Sequence, residues 1–254
     1  MKKIACQLVI LTSLITPIAV YSQQREMQES LIYSDPTVAK DDQWVKGFSI
    51  DYNQKTVDGF GYNSSGTKFS QSTESKAVGF SAYLSHGNYT LMFVRAPIRY
   101  TTSVYTTSTL TINGNYYSNE LVARFLLPEY RTEYFVPYVM GGYVMTEDKQ
   151  DMDSYLNGVR YLNQKTERGP GGGIGAIFPI TSKYGFRSDV RYYLTRATNT
   201  NNHVSAYNYT QSQKFIRAHV TAYYNINDNL NAQFGVQNTL LTLNNFFLKV
   251  GYTF

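Results

Sequence analysis

The chain has 254 residues, one cysteine and a formal net charge of +5. It carries 24 Tyr, 14 Phe and 18 Gly, yet its mean hydropathy is −0.34. So small a charge excess does not imply nucleic acid, and beyond the N-terminus no apolar run approaches the roughly 18 residues of a transmembrane helix.

The N-terminus reads as an export signal. Lys2 and Lys3 precede an apolar run from Ile4 to Val20, and Val20 and Ser22 occupy the small-residue positions before Gln23. Residues 1–22 therefore have the layout of a secretory signal peptide. The alternative, an N-terminal anchor, is opposed by the short run and by Pro17. Cys6 would leave with the signal, so the exported chain must hold together without a disulfide. Without Lys2 and Lys3, 21 basic residues face 18 acidic ones, a net +3.

Residues 23–43 are polar. They contain Pro36 and five acids (Glu26, Glu29, Asp35, Asp41, Asp42) against Arg25 and Lys40. This composition suits a periplasmic tail with room for a short helix.

From Trp44 the pattern alternates. Trp44, Lys46, Phe48, Ile50 and Tyr52 take one side, and Val45, Gly47, Ser49, Asp51 and Asn53 the other. A period of two marks a strand. The same pattern recurs around Val78–Leu84, Leu121–Leu127, Phe186–Leu194, Ile216–Tyr224 and Phe246–Phe254. Three features favour a membrane barrel over a soluble sandwich. Charges and glycines oppose the apolar faces, Tyr gathers near strand ends, and short and long connections alternate. Tight turns are expected at His86–Asn88, Thr181–Tyr184 and Asn227–Asn229, and long Tyr/Ser/Thr/Asn-rich connections over about 56–73, 102–118, 147–166 and 198–212.

These signals predict an all-β, antiparallel up-and-down transmembrane β-barrel over residues 44–254. Its ten strands fall near 44–55, 74–85, 88–101, 119–128, 134–146, 167–179, 185–197, 213–226, 229–238 and 244–254. Eight strands is the competing count, because 88–101 and 134–146 alternate poorly. Pro97, Pro137 and Pro179 lack the N–H a closed ladder needs, so they are expected at strand ends or bulges. Closure itself follows from the solvent: lipid offers backbone groups no hydrogen bonds, so every strand must be paired.

The stretch Asn244–Phe254, with Phe246, Leu248, Val250, Tyr252 and Phe254 at every second position, resembles the C-terminal strand of bacterial outer-membrane proteins. In those families this strand resembles the signal read by the barrel-assembly machinery. The stretch Gly171-Gly172-Gly173-Ile174-Gly175-Ala176, followed by Gly185–Tyr193, is similar to the Gly-rich hairpin of the small OmpA- and OmpW-like barrel superfamily. The resemblance implies the bacterial outer membrane. It says little of function, because the superfamily includes pores, adhesins, anchors and enzymes.

The inward face is rich in arginine. Parity places Arg124, Arg187, Arg191 and Arg217 in the lumen, and Arg95 and Arg99 are assigned there too, with Asp51, Glu120 and Asp189 as partners and His219 nearby. One reading is a lumen packed with ion pairs; another is a narrow, anion-favouring pore. Glycines 169, 171, 172, 173 and 175 lack the Lys-Ser or Lys-Thr of a phosphate loop and suit a crowded strand that admits bulky lumen side chains. His203-Val204-Ser205 has the His-x-Ser spacing that resembles outer-membrane lipid A deacylases, without further match. Asp148, Asp151 and Asp153 supply loop acids, but no Asp-x-His accompanies His203 as a resemblance to outer-membrane proteases would require. His86 falls in a turn, and no metal-ligand spacing is present.

The expectation is a non-enzymatic barrel without cofactor, in a structural or surface role or as a narrow porin-like channel. Recognition through the outer loops, and an enzyme acting on lipid or peptide, are the alternatives. Expected partners are outer-membrane lipids, lipopolysaccharide and the assembly machinery.

Overall fold

A computed structural model describes residues 34–40, 42–62, 68–105, 109–156, 159–202, 208–239 and 242–254. Ten antiparallel strands close into a barrel: β1 (Trp44–Tyr62), β2 (Lys68–His86), β3 (Tyr89–Tyr105), β4 (Thr109–Leu126), β5 (Val136–Leu156), β6 (Val159–Pro179), β7 (Tyr184–Asn201), β8 (Tyr209–Asn225), β9 (Leu230–Thr239) and β10 (Thr242–Thr253). Each strand pairs with its sequence neighbours, and β1 pairs with β10 from Gly47↔Thr253 to Asn53↔Phe247, so the sheet closes on itself.

Alternation sorts the side chains as the period-two pattern requires. Phe48, Ile50, Phe80, Leu91, Leu121, Val190, Val220 and Phe234 are exposed on the outer wall. So is the whole series Phe246, Leu248, Val250, Tyr252 and Phe254. Rings gather at the short-turn end, where Trp44 meets His86 (4.6 Å), Tyr89 meets Phe125 (4.8 Å) and Tyr252 meets Phe254 (5.0 Å). Such a girdle marks a membrane interface, and short turns mark the periplasmic end.

Four connections lie at that end. Gly87 takes φ +52°, a left-handed conformation that costs glycine little, and turns β2 into β3. A 3-10 turn, Pro128–Tyr130, links β4 to β5. Asn227 Oδ1 accepts from the N–H groups of Asn229 (3.0 Å) and Leu230 (2.7 Å), closing the β8–β9 turn.

The opposite end differs from expectation. The four long connections foreseen at 56–73, 102–118, 147–166 and 198–212 are largely strand: β5 runs to Leu156 and β6 starts at Val159. Thr-, Tyr- and Ser-rich alternating segments are good strand formers, and pairing continues in water beyond the bilayer. The prolines separate. Pro137 is the second residue of β5 and Pro179 the last of β6. Pro97 lies mid-strand, and the β2–β3 ladder is interrupted there, between Ala77↔Ile98 and Phe80↔Arg95.

The inward glycines of β6 make room for rings. A Cβ on Gly175 would lie 2.5 Å from the Tyr138 ring and 2.6 Å from Ser188 O, and Gly171 faces Tyr193. Gly175→Leu is therefore expected to destabilise the folded barrel by about 1–3 kcal/mol, read as a lower midpoint of urea unfolding in detergent. An unchanged midpoint would show that both Tyr138 and the β7 backbone at Ser188 give way freely.

Candidate functional site

The periplasmic mouth contains a feature that strand reasoning does not reveal. Ser34, Asp35, Thr37, Val38 and Ala39 are buried, although they precede the barrel in sequence. The tail segment 34–39 sits within the wall rather than below it. Val38 joins an apolar cluster with Val122, Leu126, Val136, Tyr138, Ile177 and Tyr223. Asp35 folds the segment locally, its Oδ1 accepting from Thr37 N (2.8 Å) and Thr37 Oγ1 (2.6 Å). Asp and Pro in sequence favour this turn.

Wall residues then grip the turn from several strands. Arg187 Nη1 on β7 donates to Asp35 Oδ1 (3.0 Å) and Oδ2 (3.1 Å). Arg124 Nη2 on β4 donates to Thr37 O and Thr37 Oγ1, both at 2.9 Å. Ser85 Oγ and Thr90 Oγ1 donate to the same carbonyl (2.8 and 3.1 Å), and Asn225 Nδ2 donates to Ser34 O (2.6 Å). The segment thus presents polar groups matched to the inward face, as burial demands.

Burial pushes the Asp35 carboxyl up, but the Arg187 and Arg124 guanidiniums outweigh it and leave the group below its ordinary 3.8. A carboxyl lowered in the docked state stabilises docking above its ordinary value. That contribution fades as pH falls from about 4 through the docked value. Acidification below about pH 4 is expected to increase protease cleavage of the segment, while neutral and alkaline media leave it docked. Asp35→Asn should flatten this dependence; an unchanged pH profile in that variant would exclude Asp35 as its origin.

Above the segment lies a charged belt. Glu120 on β4 accepts from Arg191 Nη1 on β7 (2.8 Å), from Arg217 Nη1 on β8 (3.4 Å) and from the Tyr193 hydroxyl. Asp189 Oδ1 accepts from Arg191 Nε (2.7 Å) and lies 2.9 Å from His219 Nδ1. Asp51 on β1 pairs with Lys249 on β10 at 3.1 Å. Bonds from β4 to β7 and β8 cross the lumen rather than run along the wall. A cavity of about 330 Å³ remains, bounded by Met92, Glu120, Arg124, Arg187, Lys249 and Tyr138 among others.

Eight of the ten residues assigned to the lumen from sequence therefore face it: Asp51, Glu120, Arg124, Arg187, Asp189, Arg191, Arg217 and His219. Arg95 and Arg99 do not. Arg95 pairs in register with the outward Phe80 and Arg99 with the outward Lys76, and both arginines are exposed. The parity of β3 is masked in sequence because Met92, Val94 and Ile98 are apolar residues on the inward face. Lys249 joins the lumen set. Lys249 is legible as the polar alternate of β10, whereas nothing in the sequence pairs the tail acid Asp35 with an arginine.

His203 and Ser205 lie outside the described residues. Asp148 faces inward, accepting from Tyr100 OH (2.7 Å) and Gln150 Nε2 (3.1 Å), whereas Asp151 lies on the other face of β5 by alternation. His86 closes β2 against Trp44.

No family model and no curated protein matches the sequence. Solved structures do. The outer-membrane protease OmpT of Escherichia coli is similar at 9% identity and a TM-score of 0.52, over 85% of this chain and 98% of that one. The translocator domain of the autotransporter NalP from Neisseria meningitidis aligns at 10% identity and a TM-score of 0.47, over 93% and 95%. The outer-membrane protein OprG from Pseudomonas aeruginosa aligns at 14% and 0.41, over 86% and 98%. At such identities the likeness is one of fold. A closed ten-strand barrel with an apolar outer wall and a polar interior is the architecture this chain shares with small outer-membrane β-barrels such as OmpT.

Proposed function

We propose that this protein is a non-enzymatic outer-membrane barrel whose narrow lumen is held shut by its own segment 34–39. The observation that carries the reading is the near-complete burial of Asp35 and Thr37 between Arg124 and Arg187. A barrel of ten strands has little free width once side chains fill it. Here a charged belt crosses that width, and a peptide turn closes its lower end.

Charge balance supports a closed state. Around the belt and the segment Arg124, Arg187, Arg191, Arg217 and Lys249 face Asp35, Asp51, Glu120 and Asp189, five cations to four carboxylates, and farther out Lys165 pairs with Glu167 while Asp148 also faces inward, so the excess that would favour anions is cancelled while the segment is docked. Planar-bilayer recording tests the reading: the intact protein should show no steady conductance at neutral pH. A persistent open level in the intact protein would make it a constitutive pore. The lipid-facing series Phe246 to Phe254 is the segment we assign to recognition by the assembly machinery.

A further inference from the structure

The outer wall carries two like-charged pairs that the barrel itself leaves uncompensated. Lys76 on β2 pairs directly with Arg99 on β3, and Arg168 on β6 with Arg196 on β7. All four are exposed on the outer face, and Lys214 on β8, opposite Leu194, adds a fifth cation beside Arg196. Like charges directly opposite across strands repel. Among the described residues no carboxylate forms an ion pair with any of these cations. Glu147 is engaged with Lys149 (3.0 Å) and Gln164 (2.7 Å).

Both pairs lie at one level. Lys76 is ten residues along its strand from His86, Arg99 ten from Tyr89, Arg168 eleven from Pro179 and Arg196 twelve from Tyr184. A tilted strand crosses the hydrocarbon in about 9–11 residues, so these cations stand where the outer leaflet's headgroups begin. Each pair also adjoins, on its membrane side, a ladder interruption at a proline. Pro97 lies beside Lys76–Arg99, and the unpaired stretch between Arg168↔Arg196 and Gly171↔Tyr193 contains Pro170. At the first, the outer wall holds a recess of about 740 Å³, with Val78, Pro97 and Tyr117 toward the hydrocarbon, Lys76, Arg99 and Asn115 above them, and Glu74 one alternate farther out along β2.

We propose that these two outer-wall pairs bind the phosphates of a phosphorylated glycolipid of the outer leaflet, with its acyl chains along the apolar surface below. A phosphate between two cations replaces repulsion by two charge-assisted hydrogen-bonded contacts. The recess is apolar beneath and sets two cations against the one carboxylate of Glu74 above.

Native mass spectrometry of the full barrel in detergent with added bisphosphorylated lipid A tests this. Two retained lipids are expected. The double variants Lys76→Gln/Arg99→Gln and Arg168→Gln/Arg196→Gln should each lose one, with affinity at that site falling about tenfold or more. Lys46→Gln, a cation at the periplasmic girdle, should lose none. Melting adds a readout that misfolding cannot mimic. Without lipid, Arg168→Gln/Arg196→Gln should melt no lower than the native chain; on adding lipid A it should gain less stability than the native chain, and the fourfold variant should gain none. Equal retention by the fourfold variant, equal binding of dephosphorylated lipid, or full displacement by inorganic phosphate at the lipid's own concentration would each overturn the assignment.

Discussion

Replacing Ser34–Ala39 by a Gly-Ser stretch of equal length is expected to turn a silent barrel into one with small, anion-preferring single-channel steps. The replacement removes the turn that Arg124 and Arg187 hold, and with it the Asp35 charge. Around the belt the lumen then presents five cations to three carboxylates, Asp51, Glu120 and Asp189, with Asp148 and the Lys165–Glu167 pair on the inward face farther out. Arg124 and Arg187, freed from Thr37 and Asp35, would hydrate at the mouth. A cationic lining favours anions and raises their local concentration. Asp35→Asn should give brief openings only, because Ser34, Thr37 and Val38 keep their contacts. If the replaced barrel stays silent, the Glu120 belt alone seals the lumen and the protein's role is structural. Reversal potentials under a salt gradient give the sign of the selectivity, and cation preference would contradict the charge argument.

Glu120→Ala is expected to lower the stability of the folded barrel by about 3–5 kcal/mol, the usual consequence of removing one member of a buried ion network. Glu120 is the shared acceptor of Arg191, Arg217 and Tyr193, and its loss strands two guanidiniums among groups with few other acceptors. Asp189 still holds Arg191, whereas Arg217 keeps the faces of Tyr193 and Phe215 at 5.3 and 5.1 Å. The triple variant Glu120→Leu/Arg191→Met/Arg217→Met should recover much of the loss, since apolar replacement of a whole buried network is often neutral or better. Urea unfolding in detergent micelles reads both. A single variant as stable as the native chain would mean that water already screens the belt, and the lumen would be wetter than its contacts imply.

The barrel was legible because its two solvents impose an alternating rule on every strand. Lipid selects Phe48, Ile50, Val190 and Val250 outward, and the polar alternates Asp51, Asp189 and Lys249 turn in. That rule fixes strand existence, the even count and eight of the ten assigned lumen residues from local sequence. It fails where a strand's inward face is itself apolar, as in β3, so Arg95 and Arg99 were assigned to the wrong side. It is also silent on where pairing stops, since Ser, Thr and Tyr extend the ladder beyond the bilayer as readily as they form loops.

Three things belonged to tertiary structure alone. Closure brings Glu120 within reach of Arg191 and Arg217, 71 and 97 residues away in sequence, and no local pattern encodes which carboxylate meets which guanidinium. Docking buries Asp35 against Arg187, 152 residues distant, because the inward face offers donors that an isolated polar tail lacks. Register, finally, sets Arg168 opposite Arg196 and Lys76 opposite Arg99, a juxtaposition that depends on strand alignment rather than on either strand's composition. Sequence decides which face a side chain takes by its affinity for oil or water. Only the folded barrel decides its neighbour, because that depends on long-range alignment of strands that are far apart along the chain.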